Sequence, residues 1–225
     1  MAVQPPANPQ EDSSMNKEQM TQVSALLAEI VKARRAGPNA GYANMHDAAK
    51  GAMALLHGVR GRFAAKILCS VYYELAMWAH QEGLHSVALG LTQASLRKAM
   101  EARDQIGSFF AKQNIGGLHL PGLGLWKEAI TSHWRLISAI QTFFENTTND
   151  TDYDHAIRIQ MNVYAHLIRI TFDHKDEPGA PIGEIEGWLN LLKENPCYKD
   201  NDHPWKKEIY DKVAVCSALA AAKRH

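Results

Sequence analysis

From Met20 to Cys216 apolar residues recur at three- and four-residue spacing, and no segment between turn signals alternates at period two for long. A period near 3.6 gives a helix one buried stripe, whereas a half-buried strand needs period two, so an all-α fold is expected. Asn16 with Gln19 has the capping-box pattern, Met20, Val23, Leu27 and Ile30 make one face, and Gly37-Pro38 stops it. A shorter segment opens at Asn44 and Asp47 and closes at Gly58, and a third spans Arg62 to Glu82 before Gly83. Ser86 starts a fourth, carrying Val87, Leu91, Leu96 and Met100 and reaching toward Phe110.

Further helices are expected over Leu125 to Asn146, with Ile130, Trp134, Ile137 and Phe144, and over Tyr153 to Phe172, separated by the polar TTNDTD turn. Pro181 and Pro204 suit the first position of the last two. About seven or eight helices packed as antiparallel hairpins follow. Residues 1–13 combine three prolines with polar residues and offer too little apolar surface to offset the entropy of ordering, so they read as a flexible arm. Residues 14–225 read as one helical domain, divisible into two helical halves joined by an apolar glycine-rich loop at 113–124.

That loop, NIGGLHLPGLGLW, raises a question of chemistry. Gly117 and Gly122 have the spacing of a phosphate loop, but Leu123 stands where the lysine belongs and Gly124 where Ser or Thr would hold magnesium. No strand precedes it to aim amides at a phosphate. Leu118, Leu120 and Leu123 make it apolar instead, so it is expected to fold onto the core between the halves or to dock a partner.

Other signatures are read and set aside. The eleven histidines lack zinc spacing, with His80 and His85 five apart and His155, His166 and His174 spread along helices. Asp150, Asp152 and Asp154 imitate a calcium loop, but His155 replaces its glycine and Met161 its glutamate, which leaves helix capping. Three cysteines, Cys69, Cys197 and Cys216, fit a reducing compartment, and Cys69 amid Ile67, Leu68 and Val71 reads as a small buried hydrophobe. No catalytic residue, metal site or cofactor is expected.

Tyr72, Leu75, Ala76, Gly83 and Ala88 fall on the aromatic, leucine, small, glycine and alanine positions of one tetratricopeptide repeat, which the stretch resembles. Thr92 and Ser95 depart from its later positions, and a shift of 34 residues lands in the glycine stretch. The resemblance implies close packing of one helix hairpin.

Charge distribution says more about function. The formal net charge is zero, yet residues 31–70 carry Lys32, Arg34, Arg35, Lys50, Arg60, Arg62 and Lys66 against Asp47 alone. Residues 145–202 hold twelve acids against five Lys or Arg. Opposite-signed ends attract within a molecule or between copies, or the basic part meets an anionic polymer. The first expectation is a non-enzymatic interaction or self-assembly protein that presents helical surfaces to a protein partner or to its own copies. The alternative is a nucleic-acid-binding assembly protein, resembling viral nucleoproteins and coat proteins in design. Lys32, Arg34, Arg35, Arg60, Arg62 and Lys66 would then contact the phosphates of a single strand, with Tyr42, Phe63, Tyr72 or Tyr73 for stacking, although Phe63 and Tyr72 fall on an apolar face. An enzyme whose His or carboxylate site forms only on folding is the third reading. With no secretory pattern and no apolar run long enough to span a bilayer, a soluble intracellular protein is expected.

Overall fold

The computed structural model describes residues 15–199 and 206–222. The arm expected over residues 1–13, Pro204 and the side chains of Tyr42 and Cys197 lie outside the described residues. Among those described, the fold is all-α, with no strand and nine helices of ten residues or more. The hairpin of α1 (Lys17–Arg35) and α2 (Pro38–Leu55) comes first, followed by that of α3 (Arg62–Gln81) and α4 (His85–Glu101). Next are α5 (Gln105–Asn114), a π-helical turn (Ile115–His119), the short α6 (Leu120–Gly122) and α7 (Trp126–Asn146). The chain ends with α8 (Asp150–Asp173), a 3₁₀ turn (Ile182–Glu184), α9 (Ile185–Glu194), α10 (Pro196–Lys199) and α11 (Lys206–Ala222).

Local chemistry explains most boundaries. Asn16 and Gln19 complete a capping box at α1, and Asn149 accepts from the Asp152 amide at 3.1 Å to open α8, with Asp150 and Asp152 in its first turn. The acids of the TTNDTD turn thus serve a helix start. Gly83, at φ 73°, ends α3 in a left-handed cap whose next amide, that of Leu84, donates to the Ala79 carbonyl at 2.8 Å.

The expected fourth helix is in fact two. Arg103 takes the left-handed conformation at φ 54°, the Asp104 amide donates to the Ala99 carbonyl at 2.8 Å, and the Asp104 side chain then caps α5 by accepting from the Gly107 amide at 2.8 Å. The C-terminal cap is the same device used at Gly83, built on an arginine, which gives no punctuation in the sequence.

Two apolar cores result. Ile30, Ala33, Met45, Ala48, Ala49, Ala52 and Val71 knit α1, α2 and α3, while Val23, Leu56 and Ala64 extend that packing. The larger core draws on α5, α7, α8, α9 and α11 and includes Leu136, Ile140, Ile159, Leu167, Trp188 and Val213. On its N-terminal side this core reaches back to Phe109 and Ile106 on α5. Residues 115–122, expected as a loop, continue α5 as helix and pack on α4, α5, α7 and α8.

The α3–α4 hairpin is closely packed. Ala76 and Ala79 on α3 and Ala88 and Ala99 on α4 are fully buried, so the two backbones approach. The departures from the repeat pattern have uses: the Ser95 hydroxyl donates to the Cys69 carbonyl at 2.9 Å, and Thr92 Oγ1 pairs with His119 Nε2 at 2.8 Å. Cys69 is buried, and burial raises its thiol pKa, in keeping with a packing role.

Several residues read as inward-facing are not. Phe63, Val87, Met100 and Trp134 are exposed, Met100 at 65%. Periodicity finds the apolar stripe of a helix, but only packing decides how much of it a neighbour covers.

Candidate functional site

The glycine stretch is where distant parts of the chain meet. A methyl group on Gly116 would lie 2.8 Å from His133 Cε1, one on Gly122 would lie 2.5 Å from His85 Nδ1, and one on Gly117 would overlap the His166 ring. Each glycine therefore admits an imidazole against bare backbone. His119, in the π-helical turn itself, stands 5.5 Å from His80 between ring centres, and His80 stands 5.2 Å from His85. His133 and His166 stack at 5.4 Å.

Three of these rings, His119, His133 and His166, are held neutral. Burial, then His80 and His85, pushes the His119 pKa down to about 4; burial, then His166, takes His133 to about 3. Burial, then Lys212 and Arg169, takes His166 to about 4. The sequence treats these histidines as scattered, and only folding brings them together. Among the described residues no group of three or more His, Cys, Asp or Glu side chains is arranged to hold an ion. His119 and its Thr92 partner are buried, so no substrate reaches that pair in this conformation.

Beside the stretch runs a groove of about 690 Å³. Leu96 from α4, Ile115, Leu120 and Leu136 give it apolar walls, and Lys112, Lys127 and Arg135 carry three positive charges on it against Glu128. None of the three cations has an ion-pair partner among the described residues, although Lys127 also lies 5.1 Å from the centre of the Trp126 ring. Leu120, one of the three leucines singled out for docking, lines this groove, while Leu118 and Leu123 are half-buried beside it. The cations escaped notice because they lie on two helices; Lys127, Thr131 and Arg135, at four-residue steps on one face of α7, are the part that was legible.

The six expected basic residues fall into two groups. Arg34 is ion-paired with Glu74 in a part-buried contact, leaving Lys32 and Arg35 exposed at the end of α1. Arg60, Arg62 and Lys66 are exposed around the start of α3. Glu74 is twelve residues from Arg62 on the same helix, so the groups lie roughly 18 Å apart along it. The second group gains Arg103: with Arg62, Phe63 and Lys66 it lines a hollow of about 470 Å³ that also holds Asp104 and Asp152. Lys66 reaches Asp104 at 3.9 Å.

Among the described residues no helix is long and apolar enough to cross a membrane. No family model matches the chain, and comparison with curated proteins and with solved structures found no match either.

Proposed function

We propose that this is a non-enzymatic helical interaction protein, whose groove between α4, α5 and α7 receives an acidic, amphipathic segment of a protein partner or of a second copy. The groove carries this reading: leucine and isoleucine walls invite an apolar stripe, and Lys112, Lys127 and Arg135 favour carboxylates beside it. The apolar stripe of α9 is buried in the core, but its outer face exposes Leu191 with Glu186 and Glu194, a small patch of the same chemistry. A groove on one face that accepts a helix from another is a heterologous contact, and such contacts build rings or filaments.

Mass measured by light scattering against concentration, at low and high salt, tests this. The wild type is expected to associate at low salt, and Lys127→Glu with Arg135→Glu to remain monomeric with unchanged helicity. A wild type that stays monomeric at every concentration removes self-association. If a captured binding partner then binds the doubly reversed variant as well as it binds the wild type, the groove reading falls altogether.

Phe63 favours a second reading, the nucleic-acid one. Expected in the core, it is instead 44% exposed beside Arg62, Lys66 and Arg103, a pairing of aromatic face with cations that suits a single strand. Salt-sensitive binding of a single-stranded oligonucleotide that weakens in Phe63→Ala and Arg62→Ala would support it, and binding indifferent to both would remove it.

A further inference from the structure

Five imidazoles converge on the segment Ile115–Gly122: His80 from α3, His85 from the start of α4, His119 from the segment itself, His133 from α7 and His166 from α8. Gly116, Gly117 and Gly122 leave room for three of them, so the rings rest on backbone and hold the segment in place. Nδ1 of His80, His85, His119 and His166 and both ring nitrogens of His133 are buried with no hydrogen-bond partner among the described residues. A neutral imidazole needs one acceptor for its single N–H; a second proton adds a charge and a further donor where nothing receives them.

Among the described residues, the charged groups around His166 are cations or acids already paired. On α8 Arg169 faces His166, and from α11 Lys212 does. Glu208 and Asp211 line the hollow beside His166, but Glu208 is engaged by Arg158 and Lys212 and Asp211 by Lys207. From α4 the groups meeting His119 are the neutral Thr92 and, at the start of the helix, His85, and from α3 it is His80. On the groove side α5 presents Lys112, and α7 presents Lys127, Arg135 and the exposed Glu128.

We propose that this histidine-on-glycine packing is a proton-operated latch: protonation of the rings releases Ile115–Gly122 from α7 and α8, uncovering Leu118, Leu120 and Leu123 while the α8–α9–α11 core stays folded. Release is local because the segment is intrinsically weak. It joins a π-helical turn, three glycines and Pro121, and glycine-rich helix costs about 1 kcal/mol per glycine relative to alanine. What holds it is tertiary contact with rings that pack well only when neutral. The low pKa values of His119, His133 and His166 agree with that preference.

Hydrogen exchange of the full chain, read by mass spectrometry from pH 7.5 to 5.0 and corrected for intrinsic exchange rates, tests the latch without reference to any binding partner. Protection of amides in 115–123 is expected to fall about tenfold per pH unit below 6.5 for each proton taken up, while amides of α8 within 157–168 keep theirs. Replacing His133 with leucine removes a titrating ring, and the pH slope in 115–123 is expected to lose about one proton's worth. Should that variant fail to fold, His166→Gln gives the same reading. Loss of protection in 115–123 and α8 together at every pH, or a slope unchanged in the variant that folds, overturns the proposal.

Discussion

The ring of His166 on α8 occupies the space that a side chain at Gly117 would fill, nearly fifty residues earlier in the chain. The same exclusion operates between Gly116 and His133 and between Gly122 and His85. Three unrelated stretches of sequence are thereby fitted against one glycine-rich helical segment.

Replacing Gly117 with alanine should therefore destabilise the fold by about 1–3 kcal/mol, since the added methyl overlaps the His166 ring and the ring must leave its packed position to admit it. Gly90 on α4 is the control: a methyl there meets nothing within 4 Å, so Gly90→Ala should stabilise by about 0.5–1 kcal/mol. Urea denaturation of the two variants distinguishes a packing cost from a general glycine effect.

Stability should fall on mild acidification. Above pH 6.5 His119 and His133 are neutral whether folded or not; below it the unfolded chain takes protons that the folded one refuses. Because both folded pKa values are depressed, to about 4 and about 3, their contribution is complete above pH 6.5 and is lost as pH drops toward those values. At pH 5 the loss is about 2 kcal/mol for each histidine. Urea midpoints at pH 7.5, 6.0 and 5.0 check this, and a flat profile down to pH 5 would contradict it. The carboxyl groups of Glu177 and Glu208, whose pKa values are lowered, act below this window.

Arg34 and Glu74 join α1 to α3 through a part-buried ion pair with side-chain exposures of 20% and 11%. Glu74→Ala should cost about 2–4 kcal/mol, because the guanidinium is left short of its partner in a desolvated place. A double replacement of both by methionine should recover much of that loss, as measured by thermal denaturation.

Arg103 holds a left-handed conformation that glycine adopts without strain. Arg103→Gly should stabilise by about 0.5–1 kcal/mol and Arg103→Val should destabilise, whereas Asp104→Ala, which removes the α5 cap, should cost about 1 kcal/mol. The ordering of the three urea midpoints is the check.

Much of the helical skeleton was legible because its signals are local. The helix expected from Leu125 to Asn146 runs from Trp126 to Asn146, and that expected from Tyr153 to Phe172 spans Asp150 to Asp173. Gly37, Gly83 and the TTNDTD turn punctuate the chain where they were expected to. Arg103 was missed because its left-handed cap rests on the Asp104 amide and carbonyl geometry, with no glycine to announce it. By sequence Leu118, Leu120 and Leu123 belong to a loop, because glycine and proline around them lower helix propensity, and contacts from α4, α7 and α8 reverse that preference.

Residue order is enough to establish that the chain is a succession of amphipathic helices, where most begin and end, and that its basic and acidic residues are segregated along its length. Tertiary structure alone decided that Phe63 and Trp134 stay exposed, that Arg34 belongs to Glu74, that Lys112 meets Lys127 and Arg135 across a groove, and that five separated histidines surround one glycine segment. Caps and periodicity act within a few residues, so they can be read along the chain. Burial, ion pairing and the withholding of protons from imidazole depend on which helices come together, and that is settled by packing between side chains distant in sequence.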